Sequence, residues 1–126
     1  MTEDAGQADP RWLDAVARGD MQAAVGLLPE IRVIVPVVAM PGEQGHEAEM
    51  AVPALVNEAG RRALPVFTSV DALAQWRPDA RPVPMPGAQV LAAAVDEDYD
   101  GMVVDVASDR PLTLDRTAIQ ALAGPR

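Results

Sequence analysis

Thr68 and Ser69, followed by Asp71, form the group of side chains that most resembles a nucleophile beside a carboxylate. A hydroxyl nucleophile needs a general base, usually a histidine that a third group orients. The single histidine, His46, is distant in the sequence. A helix cap explains the same residues, because threonine caps helices and an acidic residue three positions later completes a capping box. We therefore expect Thr68 to be a cap.

His46 lies in a loop with Glu43, Glu47 and Glu49, and these side chains could bind a metal ion weakly. A metal site requires several ligands in a closed geometry, which one histidine in a Gly- and Glu-rich loop does not supply. The chain has no cysteine, so disulfides, thiolate nucleophiles and cysteine zinc sites are excluded. Glycine-rich phosphate loops are also missing from the sequence. We expect no metal, no cofactor and no catalytic residue, and hence not an enzyme.

Acidic residues are densest in segment 96–100, which follows a predicted helix. Its alternate aspartates match the first half of an EF-hand loop, but Ala107 stands where the bidentate glutamate is required. Carboxylates at a helix C-terminus oppose the helix dipole, at a cost of ~0.3–1 kcal/mol each. We favour a solvated acidic turn over a docking patch for a basic partner or a weak cation site. The residues of the candidate patch are Asp96, Glu97, Asp98 and Asp100.

Composition narrows the class of protein. The 126 residues suit one domain, and a net charge of −9 with no lysine argues against nucleic acid or an anionic membrane as a partner. We expect residues 1–8 to be a disordered leading segment that is not a secretory signal. Residues 9–126 should form a single domain. No apolar stretch is long enough to span a bilayer. Together with an arginine-, alanine- and proline-rich usage, these features predict a bacterial, cytoplasmic protein.

The first half of the chain predicts helices followed by an antiparallel meander. Asp9 and Asp20 are placed to cap two short helices, or the two parts of one broken helix, the first running from Pro10 and the second from Met21 to Leu28. Residues 31–40 read as a strand in which Pro36 indicates an edge or a bulge. Residues 50–56 and 61–67 read as a hairpin around the turn 57–60.

The second half predicts a helix at 70–76, a proline-rich stretch at 77–86 and a helix at 87–95 that covers the sheet. Short strands at 101–106 and 112–114 precede a last helix that Asp115 caps and Gly124 ends. The fold class expected is α+β (or α/β). It is a two-layer sandwich in which a mixed sheet with an antiparallel meander has helices mainly on one face.

Over roughly residues 21–123 the chain resembles the SseB N-terminal domain family. The resemblance is carried by a Val-Phe-Thr-Ser strand end, a helix closed by tryptophan and a Gly-hydrophobic-Asp strand. It implies no catalytic residues, and we expect the motif to be structural rather than functional. In particular, the two aromatic residues should meet in the core. The motif residues are Phe67, Thr68, Ser69, Trp76, Gly101 and Asp105.

Three functions are compatible with the sequence. The first is a non-catalytic interaction domain, whose partner is another protein or a second copy of the chain. The second is a small-molecule sensor or enzyme connected with serine metabolism, as the family's name, enhanced serine sensitivity, implies. Such a protein should have a pocket lined by Arg61, Arg62 or Arg77 beside a carboxylate of shifted pKa. A secretion-related role follows from the family label alone.

Overall fold

The computed structural model describes residues 7–40 and 49–124, and within them it has the predicted α+β class. The helices are α1 (Pro10–Ala17), α2 (Met21–Leu27), α3 (Val70–Trp76), α4 (Gly87–Asp96) and α5 (Arg116–Ala123), with a 3-10 helix at Leu28–Glu30. The strands are β1 (Arg32–Met40), β2 (Glu49–Ala51), β3 (Leu55–Val56), β4 (Arg62–Val66), β5 (Arg81–Pro86), β6 (Gly101–Val104) and β7 (Leu112–Asp115). The predicted lead at 1–8 lies mostly outside these residues.

The strands form two sheets, with the orders β2-β1-β5 and β3-β4-β6-β7. Neighbours are antiparallel except β4 and β6, which are parallel. A bridge between Ile34 and Phe67 joins the two sheets through N–H···O bonds of 2.7 and 2.9 Å. The mixed sheet with antiparallel hairpins is therefore confirmed.

Helices cover the two faces of the joined sheets unequally. The larger core combines α1, α2, α4 and α5 with one face of the strands, where residues such as Val33, Leu64 and Met102 are buried. On the opposite face, α3 packs Leu73 against Ile34 and Phe67 in a smaller core. The alternation of β1 produces this division, because Val33 and Ile34 point to opposite sides. The prediction of helices mainly on one face is confirmed.

Local capping chemistry starts the helices. Asp9, Asp20 and Asp115 accept hydrogen bonds of 2.8, 3.1 and 2.8 Å from backbone N–H groups in the first turns of α1, α2 and α5. These three predicted caps are confirmed. The predicted cap of α3 is wrong, because Ser69 rather than Thr68 caps this helix, accepting a 3.0 Å bond from the N–H of Ala72.

The two prolines of the predicted strands have different effects. Pro36 produces neither a bulge nor a break, since β1 runs from Arg32 to Met40 and its register with β5 is continuous from Arg32 to Val37. Residues 38–40 then pair with β2 on the other side of β1. The strand predicted at 50–56 is split into β2 and β3, which lie on either side of Pro53. A proline cannot donate to a ladder, which accounts for the break at Pro53.

The proline-rich stretch contains a strand that the sequence did not predict. In β5, Pro82, Pro84 and Pro86 stand at every second position, and Pro84 lies opposite Ile34 of β1. The N–H and C=O of Ile34 both bond Phe67, so they do not bond β5, and Ile34 and Pro84 are a non-hydrogen-bonded pair. Such pairs recur at every second position, so Pro82 and Pro86 are also in non-hydrogen-bonded pairs. All three prolines therefore place their missing N–H on the outer edge of β5.

Gly87 explains how α4 begins directly after β5. Its N–H donates a 2.7 Å bond to the carbonyl of Ile31, and a Cβ at this position would collide with the carbonyl oxygen of Leu28. The close approach of α4 to the 3-10 helix thus requires glycine. This contact holds the helix over the sheet.

Candidate functional site

Two polar residues of the sequence motif meet where the parallel strands end. Thr68 follows β4 and Asp105 follows β6, and these strands are paired up to Val66 and Val104. The N–H of Asp105 adds a 2.9 Å bond to the carbonyl of Val66. The carboxyl ends of neighbouring parallel strands lie at one edge of a sheet, which is where α/β proteins commonly bind ligands.

Asp105 and Thr68 share two hydrogen bonds. The backbone N–H of Thr68 donates to Oδ1 of Asp105 at 2.8 Å, and its hydroxyl donates to Oδ2 at 2.7 Å. Thr68 is only 5% exposed. Asp105 has a φ of 56°, a left-handed conformation that aspartate tolerates better than most residues, and it turns the chain out of β6. The two side chains therefore fasten β4 to β6 at their ends.

Burial dominates the titration of this carboxyl group. It raises the pKa of Asp105, and the two hydrogen bonds from Thr68 lower the pKa by less. In the part of the chain that the structure describes, Asp105 takes part in no ion pair. The carboxylate is therefore partly buried with hydrogen bonds but without a cation.

A cleft of about 460 Å³, called here the Asp105 cleft, opens between α1 and the segment that follows β6. Its wall on the α1 side is apolar, and Leu13 in this wall is 55% exposed. Thr68 and Asp105 form a polar part of its lining. The remaining lining residues are Trp12, Val16, Ala17, Met21, Val104, Ser108, Asp109 and Arg110.

The other motif residues have packing roles. Phe67 is fully buried and stacks on Trp76, with ring centroids 5.5 Å apart and an angle of 28° between the ring planes. At Gly101, a Cβ would lie 2.8 Å from the carbonyl oxygen of Leu114 in the neighbouring strand. A side chain at that position would push β6 away from β7.

Comparison with known families supports the motif. The family model described as SseB protein N-terminal domain matches residues 11–121. The chain belongs to this family. No curated protein and no solved structure matches the chain.

The acidic turn of this SseB N-terminal domain is tied to arginines. The Arg116 guanidinium lies 2.9 Å from a carboxylate oxygen of Asp98 and 2.7 Å from one of Asp100. The backbone N–H of Arg62 donates a 2.8 Å bond to Asp100, and this bond, with the contact from Arg116, holds the pKa of Asp100 below its ordinary value. Asp96 and Glu97 are exposed at the end of α4. Asp98 and Asp100 of the predicted docking patch are thus compensated by arginine.

Two of the three arginines expected around a ligand pocket, Arg61 and Arg62, line one groove, and Arg77 lies elsewhere. The Arg62 guanidinium lies 4.6 Å from the ring centroid of Tyr99 and donates a 2.8 Å bond to the carbonyl of Glu97. Arg77 lies beside Trp76 and pairs with Asp79 at 3.3 Å. Arg61 and Arg62 do line a groove of about 360 Å³ on the open face of the second sheet. The shifted carboxylate in that groove is Asp100, which the arginine contacts already satisfy.

Two further expectations concern metal and membrane. His46, Glu43 and Glu47 lie outside the described residues, as does the side chain of Glu49. Within the described residues no cluster of three or more histidine, cysteine or acidic side chains could hold a metal ion. No helix in residues 7–40 and 49–124 is long and apolar enough to cross a bilayer.

Local sequence patterns point to Thr68 and Asp105 separately, but not to their contact or to the Asp105 cleft. Asp71, three residues after Thr68, favours the interpretation of Thr68 as a local cap. The pair is separated by 37 positions, so local spacing does not reveal it. The available signal was that each residue comes at the end of a predicted apolar strand, and parallel pairing of the two strands would bring these ends together.

Proposed function

We propose that this SseB N-terminal domain is a non-catalytic protein-interaction domain whose partner, another protein, docks in the Asp105 cleft. The main support is Leu13, a large apolar side chain that is 55% exposed in the wall of a concave surface. A concave surface with apolar walls and a few convergent polar groups is the usual form of a binding site. The partner would cover Leu13 and remove it from water.

The polar pair in the cleft supports binding better than catalysis. Although Thr68 donates its hydroxyl proton toward Asp105, a carboxylate alone is too weak a base to generate an alkoxide. The 5% exposure of Thr68 also leaves little room for attack on a substrate. No histidine lies in the described part of the chain to relay the proton.

The net charge favours a different protein over a second copy. Each chain carries a charge of −9, so two copies repel each other unless their contact is strongly complementary. A basic partner would instead be attracted, and a neutral one would not be repelled. Net charge therefore favours a complex with a different protein over a homodimer.

Capture of the tagged full chain from a lysate of its native host tests the proposal. The test variant is Leu13→Glu, and the matched control is Val56→Glu, because Val56 is 63% exposed but lies on β3, outside the cleft. Both changes are at exposed positions and should alter the free energy of unfolding by less than about 0.5 kcal/mol, which thermal unfolding checks.

We expect one stoichiometric partner with the wild type and with Val56→Glu, and its loss with Leu13→Glu. Light scattering on the purified chain should give a monomer. A partner that is retained by Leu13→Glu and lost by Val56→Glu would place the interface on the second sheet instead. A stable homodimer, or no partner under any condition, would contradict the proposal.

A further inference from the structure

The chemistry of the docking group can be inferred from the charge in the Asp105 cleft. Asp105 and Asp109 provide two carboxyl groups and Arg110 one guanidinium group. The formal charges of Asp109 and Arg110 cancel, so the net charge of the cleft lining equals the charge of ionised Asp105. Within the described residues no cation pairs with it.

The carboxylate of Asp105 retains capacity for more hydrogen bonds. Each of its oxygens accepts one bond from Thr68, and an ionised carboxylate has about four acceptor positions. Thr68 also fixes the orientation of the group, so an incoming donor would meet a preorganised acceptor. Burial raises the pKa of Asp105 by more than these two hydrogen bonds lower it.

The walls of the cleft suit a long apolar stem. Leu13 and Val16 lie on the same face of α1, three residues apart, and Met21 continues the apolar lining. Arginine buries its methylene groups against such a surface while its guanidinium reaches a polar group. A guanidinium is also less strongly hydrated than an ammonium and is preferred in partly buried ion pairs.

We propose that the Asp105 cleft receives an arginine side chain of the partner, with the guanidinium donating to the Asp105 carboxylate and the stem lying against Leu13 and Val16. This inference rests on the proposed function, since it specifies the group that docks in the same cleft. The net charge of −9 would assist the approach of a basic segment.

Titration of the full isotope-labelled chain followed by amide NMR tests the inference without the natural partner. The probes are N-acetyl-arginine methylamide and N-acetyl-citrulline methylamide, which have closely similar shapes but differ in charge. We expect the arginine probe to shift the amides of Leu13, Thr68 and Ser108, and the citrulline probe to bind about tenfold more weakly. This comparison uses the wild type and does not depend on the stability of a variant.

Asp105→Asn provides a second arm, because asparagine retains an acceptor and a similar shape. The variant should lose the preference for arginine over citrulline, while Asp100→Asn should retain it. Equal affinities of the two probes for the wild type would overturn the inference. So would arginine-induced shifts confined to residues 96–100, since the charge would then be bound at the acidic turn.

The two proposals fail in different ways. If Leu13→Glu abolishes partner capture but the arginine probe does not select the cleft, the interface stands and the docking group is not arginine. If the probe selects the cleft but capture is unaffected by Leu13→Glu, the cleft binds a guanidinium and the proposed protein interface is wrong.

Discussion

Two turns of the chain hold an aspartate with positive φ, and they treat its charge differently. Asp98, with a φ of 63°, follows α4 in an exposed turn where Arg116 pairs with it and with Asp100. Asp105, with a φ of 56°, follows β6 in a partly buried turn where Thr68 supplies hydrogen bonds but no charge. In the acidic turn an arginine pairs with two of the carboxylates, whereas Asp105 has no ion pair within the described residues. The number of acidic residues in a turn therefore does not by itself show which carboxylate lacks a cation.

β6 connects the two turns, so the largest effect should come from disturbing its pairing with β7. In Gly101→Ala the new Cβ would lie 2.8 Å from the carbonyl oxygen of Leu114, and we expect a loss of about 1–3 kcal/mol in the free energy of unfolding. Denaturant titration measures it. Gly26→Ala is the control, since its Cβ would meet open space within a helix, and it should leave stability unchanged or raise it by about 0.5–1 kcal/mol. Equal losses for the two variants would contradict the packing argument.

Thr68→Val should have an effect of similar size, because it removes the hydroxyl bond to a partly buried carboxylate while nearly preserving shape. A hydrogen bond to a charged group contributes roughly 1.5–3 kcal/mol, so a loss of this order is expected at neutral pH. Ser69→Ala, which removes the cap of α3, should cost about 1 kcal/mol and serves as the neighbouring comparison. A Thr68→Val variant as stable as the wild type would mean that the pair does not fasten β4 to β6.

The pH dependence should distinguish the two turns by its sign. The raised pKa of Asp105 means that the folded state binds its proton more tightly than the unfolded state, so the stability from this group is greatest below the ordinary value of 3.8 and is lost as pH rises through the raised pKa. The lowered pKa of Asp100 has the opposite effect, and its contribution is lost as pH falls. We expect the stability difference between wild type and Asp105→Asn to shrink or change sign as pH rises. Unfolding curves over a pH series measure it, with Asp100→Asn as the opposite control.

The smallest effect should come from Arg116→Ala. Its ion pairs with Asp98 and Asp100 lie on the surface, where salt and water weaken them. The loss in stability should be smaller than that of Thr68→Val and should diminish further as the salt concentration is raised. Thermal unfolding of Arg116→Ala and Thr68→Val at low and at high salt measures both losses in stability. A loss that exceeds that of Thr68→Val at both salt concentrations would reverse the order of importance of the turns.

Features fixed by neighbouring residues were predictable from the sequence. The caps at Asp9, Asp20 and Asp115 depend on a side chain and a backbone N–H two or three residues away, and all three are present. The turn at 57–60 is likewise local, because Asn57 bonds the N–H groups of Ala59 and Arg61. Such contacts form whenever the local chain adopts its preferred geometry.

Features fixed by pairing between strands far apart in the sequence were not predictable. β5 was missed because prolines argue against a strand, and only the register with β1 shows that their missing N–H groups are not needed for pairing. The candidate site was missed for a related reason. Thr68 and Asp105 meet only because β4 and β6 are parallel neighbours, and the sequence between them contains a helix, an antiparallel strand and a second helix.

The proline-bearing edge of β5 also affects how the chain behaves when crowded, as during synthesis. Amyloid-like growth requires each newly arrived strand to exchange N–H and C=O groups with the strand already in place. At Pro82, Pro84 and Pro86 an arriving strand would find backbone C=O acceptors but no N–H donors. A further strand therefore pairs poorly with this edge of the sheet. Runaway assembly of identical chains is thereby blocked at one end, and the chain can keep an uncovered apolar side chain on α1 at less risk of fibril formation.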